Sequence, residues 1–260
     1  MKQEAPIAMI TGASSGIGEA IAHVLAQASF RLILAGRRKD RLEMLAERLN
    51  REHQVETYTM PVDVRNREEV NRCIEFLPEE WRNIRILVNN AGLAWGLEPL
   101  DEGNPDHWDA MIDTNVKGLL YISKAVIPLM PNDGTGHIIN IGSIAGKEVY
   151  ANGAVYCASK FAVDALSKGM RIDLAKYPIR VGCIHPGAVE TEFSLVRFDG
   201  DAARAAKVYE GFENLVAADV ADAAWFMLNR PAHVNINELT IMPTAQPAAG
   251  IVHRKTKAET

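Results

Sequence analysis

Seven short apolar runs alternate with segments of helical periodicity along almost the whole chain. The runs are Ile7–Thr11, Arg31–Ala35, Glu56–Pro61, Ile84–Asn89, His137–Ile141, Ile179–Ile184 and Glu238–Met242. A strand with one wet face alternates polar and apolar residues, whereas one buried on both faces is continuously apolar. Between the runs lie helical patterns over Gly16–Gln27, Arg41–Glu52, Glu68–Leu77, Trp108–Met130, Val155–Tyr177 and Val220–Leu228. Strands covered on both faces by intervening helices predict an α/β fold with a doubly wound, seven-stranded parallel sheet. No internal repeat or low-complexity linker interrupts the pattern, so a single domain is expected over residues 1–260. One stretch, 188–217, breaks the alternation beyond the sixth strand, where an open α/β sheet carries its ligand crevice. It reads as a substrate lid or, alternatively, as a variable surface loop.

Composition narrows the partners. A hydrophobic content of 48% suits a sizeable core, and a net charge of −5 argues against nucleic acid or an anionic membrane as partner. No apolar run approaches the ~20 residues that span a bilayer. Cys73, Cys157 and Cys183 have no CxxC spacing, which points to a reducing compartment. Met1-Lys-Gln-Glu-Ala-Pro6 leads straight into the first strand with no leader pattern, so the cytoplasm is the expected location. The seven histidines do not fall at metal-ligand spacing with carboxylates, and no metal is expected; His185 alone adjoins the crevice.

The first strand-to-helix turn is glycine-rich: Thr11-Gly12-Ala-Ser14-Ser15-Gly16-Ile17-Gly18. Glycines there permit a tight turn and close approach of a pyrophosphate to the free N–H groups of a helix N-terminus. The spacing GxxxGxG in a strand-turn-helix context predicts a dinucleotide site and hence a Rossmann fold. The second strand ends in Gly36, Arg37 and Arg38 instead of the carboxylate that would bind the ribose hydroxyls of NAD. Paired guanidinium groups suit a 2′-phosphate, so NADP is the expected cofactor. A solvated charge cluster is the plainer alternative, since Lys39, Asp40 and Arg41 follow directly. Asp63-Val64 ends the third strand, where the carboxylate either accepts from an adenine amino group or caps the next helix. Asn89, Asn90, Ala91 and Gly92 end the fourth strand and are placed to line the adenosine channel and tie neighbouring strands together.

Tyr156 and Lys160 lie four residues apart, about one helical turn, so they share a face. Ser143 ends the fifth strand-like run, His137-Ile-Ile-Asn-Ile-Gly-Ser143. A phenol, a cation and a hydroxyl donor together can move a proton to or from a carbonyl oxygen, the half of a carbonyl reduction that a hydride carrier does not perform.

These motifs in this order, with Asn115 and Pro186-Gly187, resemble the short-chain dehydrogenase/reductase family from Ile7 to about Met242. The resemblance implies that Asn115, Ser143, Tyr156 and Lys160 are catalytic, with Asn115 holding a water near Lys160 and Lys160 hydrogen-bonding the nicotinamide ribose. It also implies that Pro186, Gly187, Val189 and Thr191 meet the carboxamide end of the cofactor, and that the pro-S hydride is transferred from the B face. Thr191-Glu-Phe-Ser-Leu-Val-Arg-Phe198, Pro231-Ala-His-Val-Asn-Ile-Asn237 and Met242-Pro-Thr244 resemble its NADP-dependent 3-hydroxy acid dehydrogenase branch, which acts on serine and allo-threonine. A broad carbonyl reductase and a non-catalytic NADP sensor are the alternatives. The loop Lys147-Glu-Val-Tyr150 departs from the branch in its charges and is expected to border the substrate pocket. Arg197, in the lid, is the candidate partner for a substrate carboxylate, or else a salt bridge that holds the lid. Family members are commonly homotetramers joined through their long helices, here Trp108–Met130 and Val155–Tyr177. The tail 247–260 is expected either to reach a neighbouring subunit or to be disordered.

Overall fold

The computed structural model describes residues 5–255. Nine strands are present among them: β1 Ile7–Thr11, β2 Arg31–Gly36, β3 Thr57–Pro61, β4 Ile84–Asn89, β5 His137–Ile141, β6 Arg180–Pro186, β7 Val189–Glu190, β8 Leu215–Val216 and β9 Glu238–Ile241. The α-helices are α1 Gly16–Gln27, α2 Lys39–His53, α3 Arg67–Glu75, α4 Pro105–Ile112, α5 Leu119–Val126, α6 Ala154–Asp173, α7 Phe193–Arg197, α8 Ala202–Tyr209 and α9 Ala217–Leu228. Seven strands form one parallel sheet in the order β3-β2-β1-β4-β5-β6-β9. The order reverses between β1 and β4, which opens a crevice at the carboxyl ends of the strands.

Strand alternation divides the core. Ala8, Ile10, Leu32 and Leu34 face α1, α2 and α9, whose Leu25, Leu45 and Val220 complete one layer. Ile7, Met9, Ile33 and Ala35 face α3 and α5, with Ile74 and Ile122 in the opposite layer. Both faces of the five inner strands are therefore dry, as their continuously apolar runs predict, while the edge strands β3 and β9 stay partly exposed.

Two expectations change. The helix read over Trp108–Met130 is not uniform: α4 passes through a wide π-type turn at Asp113–Gly118 into α5, and a tighter turn at Ile127–Leu129 closes it. Such a turn displaces the side chains that follow it, and here it carries Asn115 inward. The 188–217 stretch is an ordered excursion and not a plain loop. β7 pairs with β8, Val189 opposite Leu215 and Glu190 opposite Val216, and the two short helices α7 and α8 lie between them.

The described part of the tail packs on its own chain. Lys255 N donates to Gly211 O at 2.7 Å, and Arg254 Nη2 donates to Val208 O at 3.0 Å. Residues 256–260, part of the tail expected to reach a neighbour or to be disordered, lie outside the described residues.

Candidate active site

A cleft of about 300 Å³ runs along the carboxyl ends of the strands, from Arg37, Arg38, Asp63 and Val64 at one end to Ser143, Tyr156, Lys160, Pro186 and Gly187 at the other. Between them lie Gly12, Ser14, Ser15, Gly16, Ile17, Asn90, Ala91, Gly92, Val189 and Thr191. The glycine turn is held from below. Thr11 Oγ1 accepts from Asn90 N and Ala91 N, both at 3.0 Å, and Asn90 Nδ2 donates to Thr11 O and Gly12 O at 2.9 and 3.1 Å. Gly18 lies one turn behind the rim: a Cβ there would stand 2.4 Å from Gly12 O and 2.5 Å from Asn90 Nδ2. Only glycine lets α1 start this close to the turn, which leaves its first N–H groups facing the cleft.

The cationic end is organised around Arg38. Its Nε and Nη2 donate to Ser14 Oγ at 3.2 and 3.0 Å, Nη2 also donates to Ser15 Oγ at 2.6 Å, and Nη1 donates to Glu192 Oε2 at 2.9 Å. Because both serine oxygens accept from Arg38, their hydroxyl hydrogens are left for a ligand. Arg41 donates to both carboxylate oxygens of Glu192, at 2.7 and 2.8 Å, while Arg37 is exposed at the cleft wall. Asp63 is held below the usual carboxylate range by hydrogen bonds from Arg65, against the opposing effect of burial. It does not cap α3; Asn66 does, accepting from Glu69 N at 3.1 Å. These groups fit a nucleotide bearing a 2′-phosphate: guanidinium and hydroxyl donors line that end, and its nearby carboxylates, Asp63 and Glu192, are each paired with arginine.

At the other end the side chains are buried. Tyr156 is 8% and Lys160 6% exposed, one turn apart on α6. Burial pushes the Tyr156 phenol well above its ordinary range, and neighbouring Tyr150 adds to the shift; Ser143 and the Arg197 guanidinium pull it partly back. Burial lowers the Lys160 ammonium to about 8. Lys160 Nζ donates to Ile141 O at 3.0 Å and lies 5.9 Å from the centre of the Tyr156 ring. Ser143 is extended, and its Oγ accepts from Ala145 N at 3.1 Å, so its hydroxyl hydrogen remains free to be donated.

Both amide hydrogens of Asn115 are engaged. Its Nδ2 donates to Leu93 O at 2.8 Å and to Ser159 Oγ at 3.0 Å, and its Oδ1 accepts from Leu93 N at 2.8 Å. Ser159 Oγ in turn donates to Tyr156 O at 2.7 Å. The Asn115 amide thus braces the loop after β4 and, through Ser159, the backbone of Tyr156.

Arg197 does not line that cleft; it stands over an aromatic floor in a small adjoining cavity that shares Tyr156 with it. Its guanidinium carbon lies 5.6 Å from the ring centre of Tyr150 and 5.9 Å from that of Tyr156, with Phe193 against the Tyr156 ring at 5.8 Å. Nε donates to Gly96 O at 3.0 Å, while Nη2 is buried without a hydrogen-bond partner among the described residues. Gly96 N returns a bond to Arg197 O at 3.0 Å, and Trp95 Nε1 donates to Asp199 Oδ1 at 2.6 Å. The salt bridge read as an alternative for Arg197 is not among the ion pairs of the described residues.

The family model for short chain dehydrogenases matches residues 6–200. The chain belongs to the short-chain dehydrogenase/reductase family. It is 46% identical over 251 residues to NADP-dependent 3-hydroxy acid dehydrogenase YdfG of Escherichia coli (strain K12), covering 96% of this chain and 100% of that one. It is 44% identical over 241 residues to sulfoacetaldehyde reductase 2 of Chromohalobacter salexigens, covering 92% and 95%. Among solved structures it is similar to the closed form of a serine dehydrogenase complexed with NADP+, with a TM-score of 0.88, 46% identity and coverage of 96% and 100%.

Within this short-chain dehydrogenase several placements depart from the sequence reading. The Lys147–Tyr150 loop splits: Tyr150 joins the aromatic floor, but Lys147 turns away and donates to Asp164 Oδ1 at 2.8 Å and Glu238 Oε2 at 2.6 Å. Histidines do meet carboxylates once the chain folds. His23 lies 3.7 Å from Glu52, and His185 Nε2 lies 3.5 Å from Asp164 Oδ1 beside Glu238. In the second group Lys147 and Lys168 already supply the cations. Sequence reasoning missed Arg41, Glu192, Leu93 and Gln246. Arg41 was legible as one helical turn beyond Arg37. Gln246, which accepts from Ala188 N at 2.8 Å, carried no local signal.

Proposed function

We propose that the protein is an NADP-dependent oxidoreductase that interconverts small 3-hydroxy acids, of the serine, allo-threonine and 3-hydroxypropionate type, with their carbonyl forms. The observation that carries this reading is Arg197, whose guanidinium lies over the Tyr156 ring and whose Nη2 is buried without a partner among the described residues. A 3-hydroxy acid has two carbons between its reacting oxygen and its carboxylate, and Tyr156 and Arg197 offer one partner to each. A bulky neutral ketone would leave that buried nitrogen unsatisfied, which disfavours broad carbonyl reduction.

Ser143 donates its free hydroxyl hydrogen to the substrate oxygen and holds it beside Tyr156. In the reducing direction Tyr156, kept as a phenol by burial, donates its proton to that oxygen. In the oxidising direction the same group must lose its proton to accept one, which the Lys160 ammonium and Arg197 favour. When bound, NADP supplies or accepts the hydride at the carbinol carbon. With the cofactor bound, Lys160 would hold the nicotinamide ribose and Asn115 would anchor a water beside Lys160 while its amide braces Leu93. Arg37, Arg38, Ser14 and Ser15 receive the 2′-phosphate end, the glycine turn receives the pyrophosphate, and Pro186, Gly187, Val189 and Thr191 meet the carboxamide. Asp63 and Val64 border the adenine, with Asn90, Ala91 and Gly92 along the ribose.

Residues 188–217 act as the substrate lid of a single catalytic domain, a role supported by the bonds from Arg197 and Asp199 to the Trp95–Gly96 loop. A homotetramer is the assembly we favour, through α5 and α6, where Leu120, Phe161 and Ile172 are exposed. A cytoplasmic location accords with three free cysteines and with the lack, among the described residues, of any helix long and apolar enough to cross a membrane. A panel of serine, allo-threonine, 3-hydroxypropionate, sulfoacetaldehyde and a bulky ketone, run with NADP and NAD, tests the assignment. Tyr156→Phe should lower turnover by roughly 10²–10⁴-fold; undiminished turnover would remove Tyr156 from the chemistry.

A further inference from the structure

His185 takes no direct part in the chemistry described above, yet it lies directly beneath it. It ends the apolar part of β6 and is fully buried. Its Nδ1 lies 3.2 Å from the backbone oxygen of Ser143, and its Nε2 lies 3.5 Å from Asp164 Oδ1. Asp164 is on α6, two turns beyond Tyr156 on the helix that also carries Lys160. The imidazole therefore spans the gap between the peptide that presents Ser143 and the helix that presents Tyr156.

Three further observations indicate that this span is built. Gly142 clears the way for the ring: a Cβ there would stand 2.7 Å from His185 Nδ1 and 3.0 Å from Cys183 Sγ. The Ser143 oxygen accepts from Gly146 N at 2.8 Å, so a bond from His185 fills its second lone pair and fixes the plane of the peptide. Lys147, four residues after Ser143, reaches under the same helix to Asp164, with Glu238 and Lys168 completing the cluster. The turn after β5 is thus tied to α6 through His185 on one side and Lys147 on the other. The cluster is not a vacant cation site, because the Lys147 ammonium lies between Asp164 and Glu238.

From this geometry we infer that His185 is a positioning residue that sets Ser143 at its working distance from Tyr156 by donating Nδ1–H to the Ser143 carbonyl. A neutral imidazole that donates from Nδ1 presents a lone pair at Nε2 to Asp164, so Lys147 and Lys168 must satisfy that carboxylate, and each donates to it at 2.8 Å. The inference rests on the proposed roles of Ser143 and Tyr156.

The test compares three uncharged replacements in the full-length enzyme. In His185→Asn the amide nitrogen takes the position of Nδ1; in His185→Gln it takes the position of Nε2; His185→Leu has neither. Steady-state kcat and KM for a 3-hydroxy acid are measured together with the Kd for NADP and the thermal midpoint. His185→Leu and His185→Gln should lose about 10–30-fold in kcat, a misplacement effect of the size expected for a shift well under 1 Å. The Kd for NADP should stay within about twofold, and His185→Asn should recover kcat to within about threefold of wild type. Should His185→Leu fail to fold, the Asn and Gln pair, matched in polarity, still decides the matter. Equal kcat in Asn and Gln variants would overturn the inference, as would a folded, NADP-binding Leu variant with wild-type kcat. Tyr156→Phe is run in parallel: if it retains turnover, the catalytic reading itself fails, independently of His185.

Discussion

Arg197→Leu is the substitution with the sharpest expected outcome. In the native protein the guanidinium has two jobs that differ in strength. Nε holds Gly96 O at 3.0 Å, and Nη2 is buried without a partner among the described residues. Loss of the first bond costs about 1 kcal/mol, as for an ordinary neutral acceptor. If Nη2 receives a substrate carboxylate, its removal leaves that charge buried and unpaired, a cost of about 2–5 kcal/mol. The first loss applies to every substrate and the second only to an anion. For 3-hydroxypropionate kcat/KM should therefore fall about 150- to 20,000-fold, but for 1,3-propanediol only about fivefold, at about 1.4 kcal/mol per decade. The assay is initial-rate NADPH formation at 340 nm with both substrates, the diol held at high concentration. Both figures include the loosened loop, so their ratio isolates the carboxylate. Equal losses on the two substrates would refute the clamp and leave Arg197 as a strut between the lid and the Gly96 loop.

Gly18→Ala should lower the thermal midpoint by roughly 3–10 °C and weaken NADP binding, because the new methyl meets Gly12 O at 2.4 Å and displaces α1 from the glycine turn; calorimetry and fluorescence titration check both. Arg37→Asp should cut kcat/KM for NADP by about 100-fold or more while changing that for NAD severalfold at most, since only NADP brings a phosphate to the reversed charge; an unchanged cofactor preference would place the 2′-phosphate elsewhere. The cofactor-free protein should respond to alkali through two buried groups of opposite sign. Lys160 is lowered from 10.5 to about 8, so between those values the unfolded chain binds more protons and this contribution to stability rises with pH. Tyr156 is raised above 10.0, so beyond that pH its contribution falls. Denaturant unfolding between pH 7.5 and 9.5 should show a rise in wild type of at most about 1.4 kcal/mol per pH unit from Lys160, missing in Lys160→Met.

The succession of strands and helices along the chain was legible because it depends on local periodicity. The runs from Ile7, Ile84 and His137 end where β1, β4 and β5 end. Tyr156 and Lys160 were legible because a four-residue spacing puts both on one helix face, and Gly12 and Ser143 because each follows a strand-like run at the cleft end of the sheet. What escaped depends on contacts far apart in sequence. Glu192 meets Arg38 across 154 positions, and Lys147 meets Glu238 across 91, so no window around either residue carries the signal. The break at Asp113–Gly118 escaped for a related reason: the amide of Asn115 is fixed on Leu93, a partner outside the helix. The order within 188–217 was obscured by its polarity. α7 and α8 are short, and the segment closes on itself through the two-residue strands β7 and β8.

The paired bonds between Gly96 and Arg197 have a kinetic consequence. They join segments 101 positions apart, one following β4 and the other inside the 188–217 excursion. Neither segment can swing outward alone without breaking both bonds, so outward motion of either draws the other with it. The Gly96 amide proton is held by Arg197 O, and it exchanges with solvent only when that junction parts. A single backbone amide in the β4 loop would thus time any opening of the proposed lid, a segment the chain reaches a hundred residues later.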